Sequence, residues 1–210
     1  MADKAEASFA QDYRDARKAF ITACERAHGD SIARVHPSAL APDGKPLFID
    51  SVALGSREAA RALLVIAGNN GKAGPSGSRT LVDLLDSRIM PLPQTRLVLV
   101  HALNPFGFAW AKQENEDGLR LDDPAAAGSW SLAMLAAIAT EDLARVGKLR
   151  VLELDKGRPG QVLDARDGGV ARILADFRPG LDFKVARLTV PAPEAPLLGC
   201  RVVARALATL

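Results

Sequence analysis

The 210-residue chain is short of the side chains that metal, disulfide and histidine chemistry draw on. Its two cysteines, Cys24 and Cys200, are far apart and isolated. They form no metal motif and no disulfide framework, which points to a reduced, cytosolic setting. Only His28, His36 and His101 are on hand for imidazole chemistry. No apolar run reaches the roughly 18 residues of a membrane span. Met1 to Asp12 carries Asp3, Lys4 and Glu6 without an apolar core, so it does not read as a signal peptide. Charge of one sign is also lacking. The net charge is +2 and there is no dense Lys/Arg block, so nothing argues for nucleic acid as a partner. What is present is 48% hydrophobic residues, enough for a single folded domain over 1–210 and too many for a disordered chain.

Periodicity gives a coarse fold. Phe9, Tyr13, Ala16, Phe20 and Cys24 recur every three or four residues and predict a helix over 9–28, stopped by Gly29. Residues 31–36 and 46–54 read as strands, with Asp43-Gly44 as the turn of a hairpin. Leu63 to Ala67, Leu97 to Val100 and Leu149 to Leu154 are short apolar runs of the kind buried on both faces in an α/β sheet. Helical patterns at 77–89, 130–146 and 168–177 separate them, and 182–190 reads as a further strand. Pro191, Pro193 and Pro196 make a linker-like stretch, and Leu197 to Leu210 fits either strand or helix. The alternation predicts a three-layer α/β/α sandwich with a mixed central sheet.

Two segments follow buried strands, where open α/β sheets bind ligands. The first is Gly68-Asn69-Asn70-Gly71-Lys72-Ala73-Gly74-Pro75-Ser76-Gly77-Ser78. Its glycines are too close for a P-loop, and Gly74-Pro75-Ser76-Gly77-Ser78 lacks the last glycine of a nucleophile elbow. An anion nest capped by Ser76 or Ser78 competes with a plain tight turn. The second segment starts at His101-Ala102-Leu103-Asn104-Pro105. His101 is either a base or ligand or, more commonly, a hydrogen-bonded packing residue. The acidic residues Glu114, Glu116, Asp117, Asp122 and Asp123 read as a solvated loop, with a cation site as the alternative.

Tyr13-Arg14-Asp15-Ala16-Arg17, Asp43-Gly44-Lys45-Pro46-Leu47, Leu54-Gly55, the Gly-rich loop and His101 to Trp110 together resemble one family. It is the uncharacterised bacterial branch of the zinc carboxypeptidase and succinylglutamate desuccinylase/aspartoacylase superfamily. The likeness covers about 9–123 and is faint over 129–157, and 129–210 reads as a shortened, divergent remainder. It implies a phosphorylase/hydrolase-like, zinc carboxypeptidase-like sandwich in truncated form. It also implies amide hydrolysis by a zinc held through His-x-x-Glu and a later His, with an open position for water. Here the matching ligand positions are Asn70, Ala73 and Asp155. Lys72 and Lys156 stand beside them, and Asp123 stands where the family has a substrate-binding Arg. No general-base Glu is assigned; Glu194 falls in the corresponding half but among prolines.

The resemblance therefore implies a relative that has lost zinc and lacks a cofactor. Its vestigial cleft would involve Asn70, Lys72, Ser76, His101, Asn104, Arg120, Asp155 and Lys156. The expected role is binding a small anionic ligand, with Lys72, Arg120 and Lys156 supplying positive charge, or docking a protein partner. A homodimer through the apolar tail is a further expectation. The alternative is a metal-dependent hydrolase with a rebuilt site at Asp122, Asp123, Asp155 and His101, taking zinc or a harder divalent ion.

Overall fold

A computed structural model describes residues 2–87, 94–156 and 162–190. The N-terminal amphipathic pattern forms α1 (Ala2–Arg26), which starts before the predicted position 9. The hairpin follows as β1 (Asp30–Leu40) and β2 (Pro46–Leu54). β1 runs past residue 36 because a register shift between Val35 and Leu40 absorbs Pro37 on an edge strand. Next come β3 (Arg61–Ala67), α2 (Gly74–Asp86), β4 (Thr95–His101) and a short α3 (Pro105–Ala109). The chain continues with α4 (Trp130–Asp142), β5 (Lys148–Lys156), β6 (Val162–Asp164), α5 (Gly169–Phe177) and β7 (Asp182–Val190). The sequence reading had no element at α3 or β6. The proline stretch, Glu194 and the 197–210 tail lie outside the described residues.

The seven strands form one mixed sheet in the order β1-β2-β4-β3-β5-β7-β6. β3, β4, β5 and β7 run parallel, while β1, β2 and β6 pair antiparallel at the two sides. Alternation along each central strand divides the core. Leu63, Val65, Leu97 and Leu99 pack under Phe20 and Cys24 of α1 and Leu81, Leu84 and Leu85 of α2. Leu64, Ile66, Val98 and Val100 pack on the other face against Leu132, Leu135 and Ile138 of α4 and Val170 and Leu174 of α5. These are the three layers of an α/β/α sandwich. A buried ion pair, Arg96 Nη2 to Asp142 Oδ1 at 2.5 Å, fastens β4 to the end of α4.

Topology opens the site. The chain leaves β3 toward α2 on one face and leaves β5 toward α5 on the other. Adjacent parallel strands whose following segments part in this way leave a crevice at their carboxyl ends.

Candidate functional site

The crevice is a small cleft of about 20 Å³ at the ends of β3 and β5. Its walls are Asn69 and Asn70 after β3, Glu153 to Asp155 on β5, Arg187 on β7, and Gln113 and Arg120 to Asp122 on the long loop after β4. A wider cleft of about 760 Å³ adjoins it, sharing Arg120, Asp122 and Arg187 and adding Asp123, Ala165 and Gly168.

Glu153 is the floor. It is 1% exposed, and burial pushes its carboxyl up from the usual range against the pull of Arg187. Arg187 faces it because the two residues are register partners on β5 and β7. Its Nη2 donates to Glu153 Oε2 at 3.1 Å, and Asn69 Nδ2 donates to the same oxygen at 2.6 Å. Glu153 Oε1 has no hydrogen-bond partner among the described residues. Asn70 Nδ2 donates to Asp155 Oδ1 at 3.4 Å, which leaves Asn70 Oδ1 buried and unpartnered among those residues as well. On the opposite wall Arg120 donates from Nε and Nη2 to both oxygens of Asp122 and from Nη1 to Gln113 Oε1, each at 3.1 Å. The Arg120 hydrogen bonds hold the Asp122 carboxyl below its usual range.

That wall is fixed from behind. A Cβ on Gly169 would lie 1.9 Å from the Leu121 carbonyl oxygen, so only glycine lets the loop rest on the start of α5. Arg172 Nη2 adds a bond to the Asp122 carbonyl at 2.8 Å. Asn104 is fully buried and serves the same loop. Its Oδ1 accepts from Gly107 N to cap α3, and its Nδ2 donates to the Gln113 carbonyl at 3.2 Å.

The residues expected at the site therefore divide. Asn70, Asp155 and Arg120 come together in the cleft, and Asn104 holds one of its walls. Lys72 does not line it; the side chain is exposed and borders a separate depression with Pro75 and Phe108. The side chain of Lys156 lies outside the described ones. Neither Ser76 nor Ser78 caps α2: the helix begins at Gly74 with Ala73 as N-cap, and both serines are buried within it. The capped anion nest is thus not formed. The Gly-rich loop is tight for another reason, since a Cβ on Gly71 would meet the Gly107 carbonyl carbon at 2.1 Å. Glu153, Arg187 and Asn69 were not singled out from sequence. The available signal was one acidic residue inside the apolar run 149–154.

His101 belongs to a different place. It is fully buried under α1, stacked on Phe20 with ring centroids 4.9 Å apart. Its Nε2 is 2.9 Å from Ser78 Oγ, and its Nδ1 lies 3.9 Å from Asp50 Oδ2. Arg17 clamps Asp50 through Nε and Nη2, at 2.7 and 2.9 Å. Ser78, His101 and Asp50 are all sealed from solvent, and burial drives the imidazole pKa down to about 3. This is a neutral packing histidine in a buried polar network. It follows that Asp122, Asp123, Asp155 and His101 do not converge. Asp123 moreover caps a turn, accepting from Ala125 N at 2.8 Å. Cys24 is equally inert, its thiol pushed up to about 12 by burial.

The donor set does not fit the zinc that the scaffold implies. Of the three matching positions, Ala73 offers no donor atom and is 1% exposed, and Asn70 presents a neutral amide where zinc takes His, Cys or a carboxylate. No group of three His, Cys, Asp or Glu side chains capable of holding a metal occurs among the described residues. A zinc site of the usual kind needs three such protein ligands.

Comparison places this arrangement among known folds. The structure superposes on "a putative metallopeptidase" from Shewanella denitrificans OS217 with a TM-score of 0.60 at 16% identity, covering 95% of this chain and 88% of that one. A "putative succinylglutamate desuccinylase/aspartoacylase" from Shewanella frigidimarina gives 0.53 at 12% identity, covering 86% and 70%. A metallo-carboxypeptidase from Pseudomonas aeruginosa gives 0.55 at 14%, covering 90% and 67%. The chain is thus short against the carboxypeptidase and near full length against the first neighbour. No curated protein matches it. At these identities the likeness establishes a divergent carboxypeptidase-like sandwich. A family model matches more than half of the chain, over residues 9–122, and by that match the chain belongs to the family described as protein of unknown function (DUF2817).

Proposed function

We propose that this protein is a non-catalytic, zinc-independent binding module that has kept the hydrolase scaffold and uses the cleft at the ends of β3 and β5 for a small polar ligand. The observation that carries the reading is Ala73. It occupies a matching ligand position on a well-packed loop and has no atom to give a metal. The neighbouring positions are occupied in ways that make sense without zinc. Asn70 and Asp155 bond to each other, and Asn69 and Arg187 hold Glu153. The cleft is still open, polar and braced by Asn104, Gly169 and Arg172, which supports retention for binding. The proposed setting is the cytosol; no helix among the described residues is long and apolar enough to cross a membrane.

The test is hydrolysis of N-acyl amino acids and short peptides by protein purified without chelator, with and without added zinc. The expected result is no turnover above the protein-free rate in either case. Zinc-dependent turnover that disappears on Asn70→Ala would overturn the reading.

A further inference from the structure

The large apolar side chains exposed on the described surface are unevenly placed. Of the four, three stand on β1: Ile32, Val35 and Leu40, at 41%, 54% and 48% exposure. β1 is also an outer strand of the sheet, and no strand among the described residues pairs along its free side. Backbone N–H and C=O groups on such a side are a template for another strand.

The two halves of this edge differ. From Pro37 onward it is blunted. Pro37 has no N–H, the register shifts between Val35 and Leu40, and the amides of Ser38 and Ala39 donate to His36 Nδ1 at 3.2 and 2.8 Å. Residues 31–35 carry none of these devices. They pair with β2 in unbroken register, contain no lysine or proline, and include Ile32 and Val35. Their one charged side chain, Arg34, is turned back onto the same molecule, donating to Ser51 Oγ at 2.9 Å and to Glu141.

This run is complementary to its own copy. Antiparallel pairing about a twofold axis matches N–H to C=O along both strands. Charge and length place the axis. At Arg34 it would set two guanidinium groups directly opposite, which destabilises. At Ile32 it would leave Val35 facing Gly29, ahead of the strand. At Ala33 it sets Arg34 against Ile32 and Ser31 against Val35. The whole run is then used, the Arg34 stem covers Ile32, and no like charges meet.

We infer that the free edge of β1 is the interface of a homodimer, in which residues 31–35 of two copies pair antiparallel about Ala33. The twofold reverses strand direction, so the two clefts open at opposite ends of one continuous sheet. This edge stands apart from the cleft, and its role does not depend on what the cleft binds.

Sedimentation equilibrium of the full chain from low to high micromolar concentration, with amide hydrogen exchange on the same samples, decides the matter. A monomer–dimer equilibrium is expected, with protection inside residues 31–35 that rises with the dimer fraction. Val35→Lys and Ile32→Lys, each placing on the edge the residue natural sheets use to block it, should weaken association at least about tenfold. Both positions are exposed, and unchanged urea midpoints would verify that the variants fold. A monomer throughout the range would overturn the inference. So would a dimer indifferent to both substitutions, since the contact would then lie on another surface such as the 197–210 tail. The exchange arm needs no variant: a wild-type dimer that leaves 31–35 no better protected than the monomer overturns it equally.

Discussion

At the scale of single residues, buried polar groups decide both stability and function. Ser78 Oγ is the described partner of His101 Nε2. Ser78→Ala should strand that nitrogen in the core and destabilise the fold by about 1–3 kcal/mol, read from urea midpoints at unchanged slope. His101 also sets a pH dependence. Its folded pKa is about 3 against 6.5 when free, lowered by burial. Between those values the unfolded chain binds a proton that the native state refuses, so stability rises with pH and falls by about 1.4 kcal/mol per unit on acidification below about 6.5. Asp50, raised by burial, acts with the opposite sign above 3.8, where the native state holds a proton the unfolded chain has released. Denaturant titrations of wild type and His101→Gln at about pH 5 and 6.5 separate the two groups. The variant should lose most of the drop. An equal drop in both proteins would assign the acid sensitivity elsewhere. Residue roles were partly legible in sequence. Asn70, Asp155 and Arg120 were found because they fall on a family pattern. Glu153 and Arg187 are 34 positions apart and meet only through the β5–β7 register, which the sequence does not contain.

At the scale of elements, the sheet was readable and the loops were not. Runs such as Leu63 to Ala67 and Leu97 to Val100 are apolar on both faces because helices cover both sides, and that is a sequence-level property. Helix ends depend on tertiary contacts. α2 starts at Gly74, ahead of the predicted 77, with Ala73 as an N-cap that has no side-chain bond to give, and Gly74 packs against Phe108 while Gly71 packs against Gly107. The glycines of this loop thus serve packing against α3, where sequence reasoning weighed a phosphate-type nest. Gly71→Ala should force the 71–73 turn off α3, since a Cβ there would meet backbone at 2.1 and 2.4 Å. A loss of more than about 2 kcal/mol in unfolding free energy is expected, in the range of severe overpacking. A change under about 0.5 kcal/mol, the level of an ordinary surface substitution, would show that the close approach is not needed.

At the scale of the whole molecule, the topology forms a crevice at the ends of β3 and β5 in which the described side chains make no group of three metal ligands. The fold keeps β3 and β5 parallel and adjacent, so positions 70 and 155 still meet, at 3.4 Å between Asn70 Nδ2 and Asp155 Oδ1. The scaffold should therefore regain a metal when the donors are returned. Protein carrying Asn70→His, Ala73→Glu and Asp155→His together is expected to take up close to one equivalent of zinc, three ligands being enough for a site with an open position. The most direct test of the account is the metal content, by mass spectrometry, of wild type and this triple variant expressed side by side in zinc-supplemented medium. Wild type far below one equivalent, with the variant near one, is the predicted result. Stoichiometric zinc in the wild-type protein would contradict it and make an active hydrolase the reading to pursue.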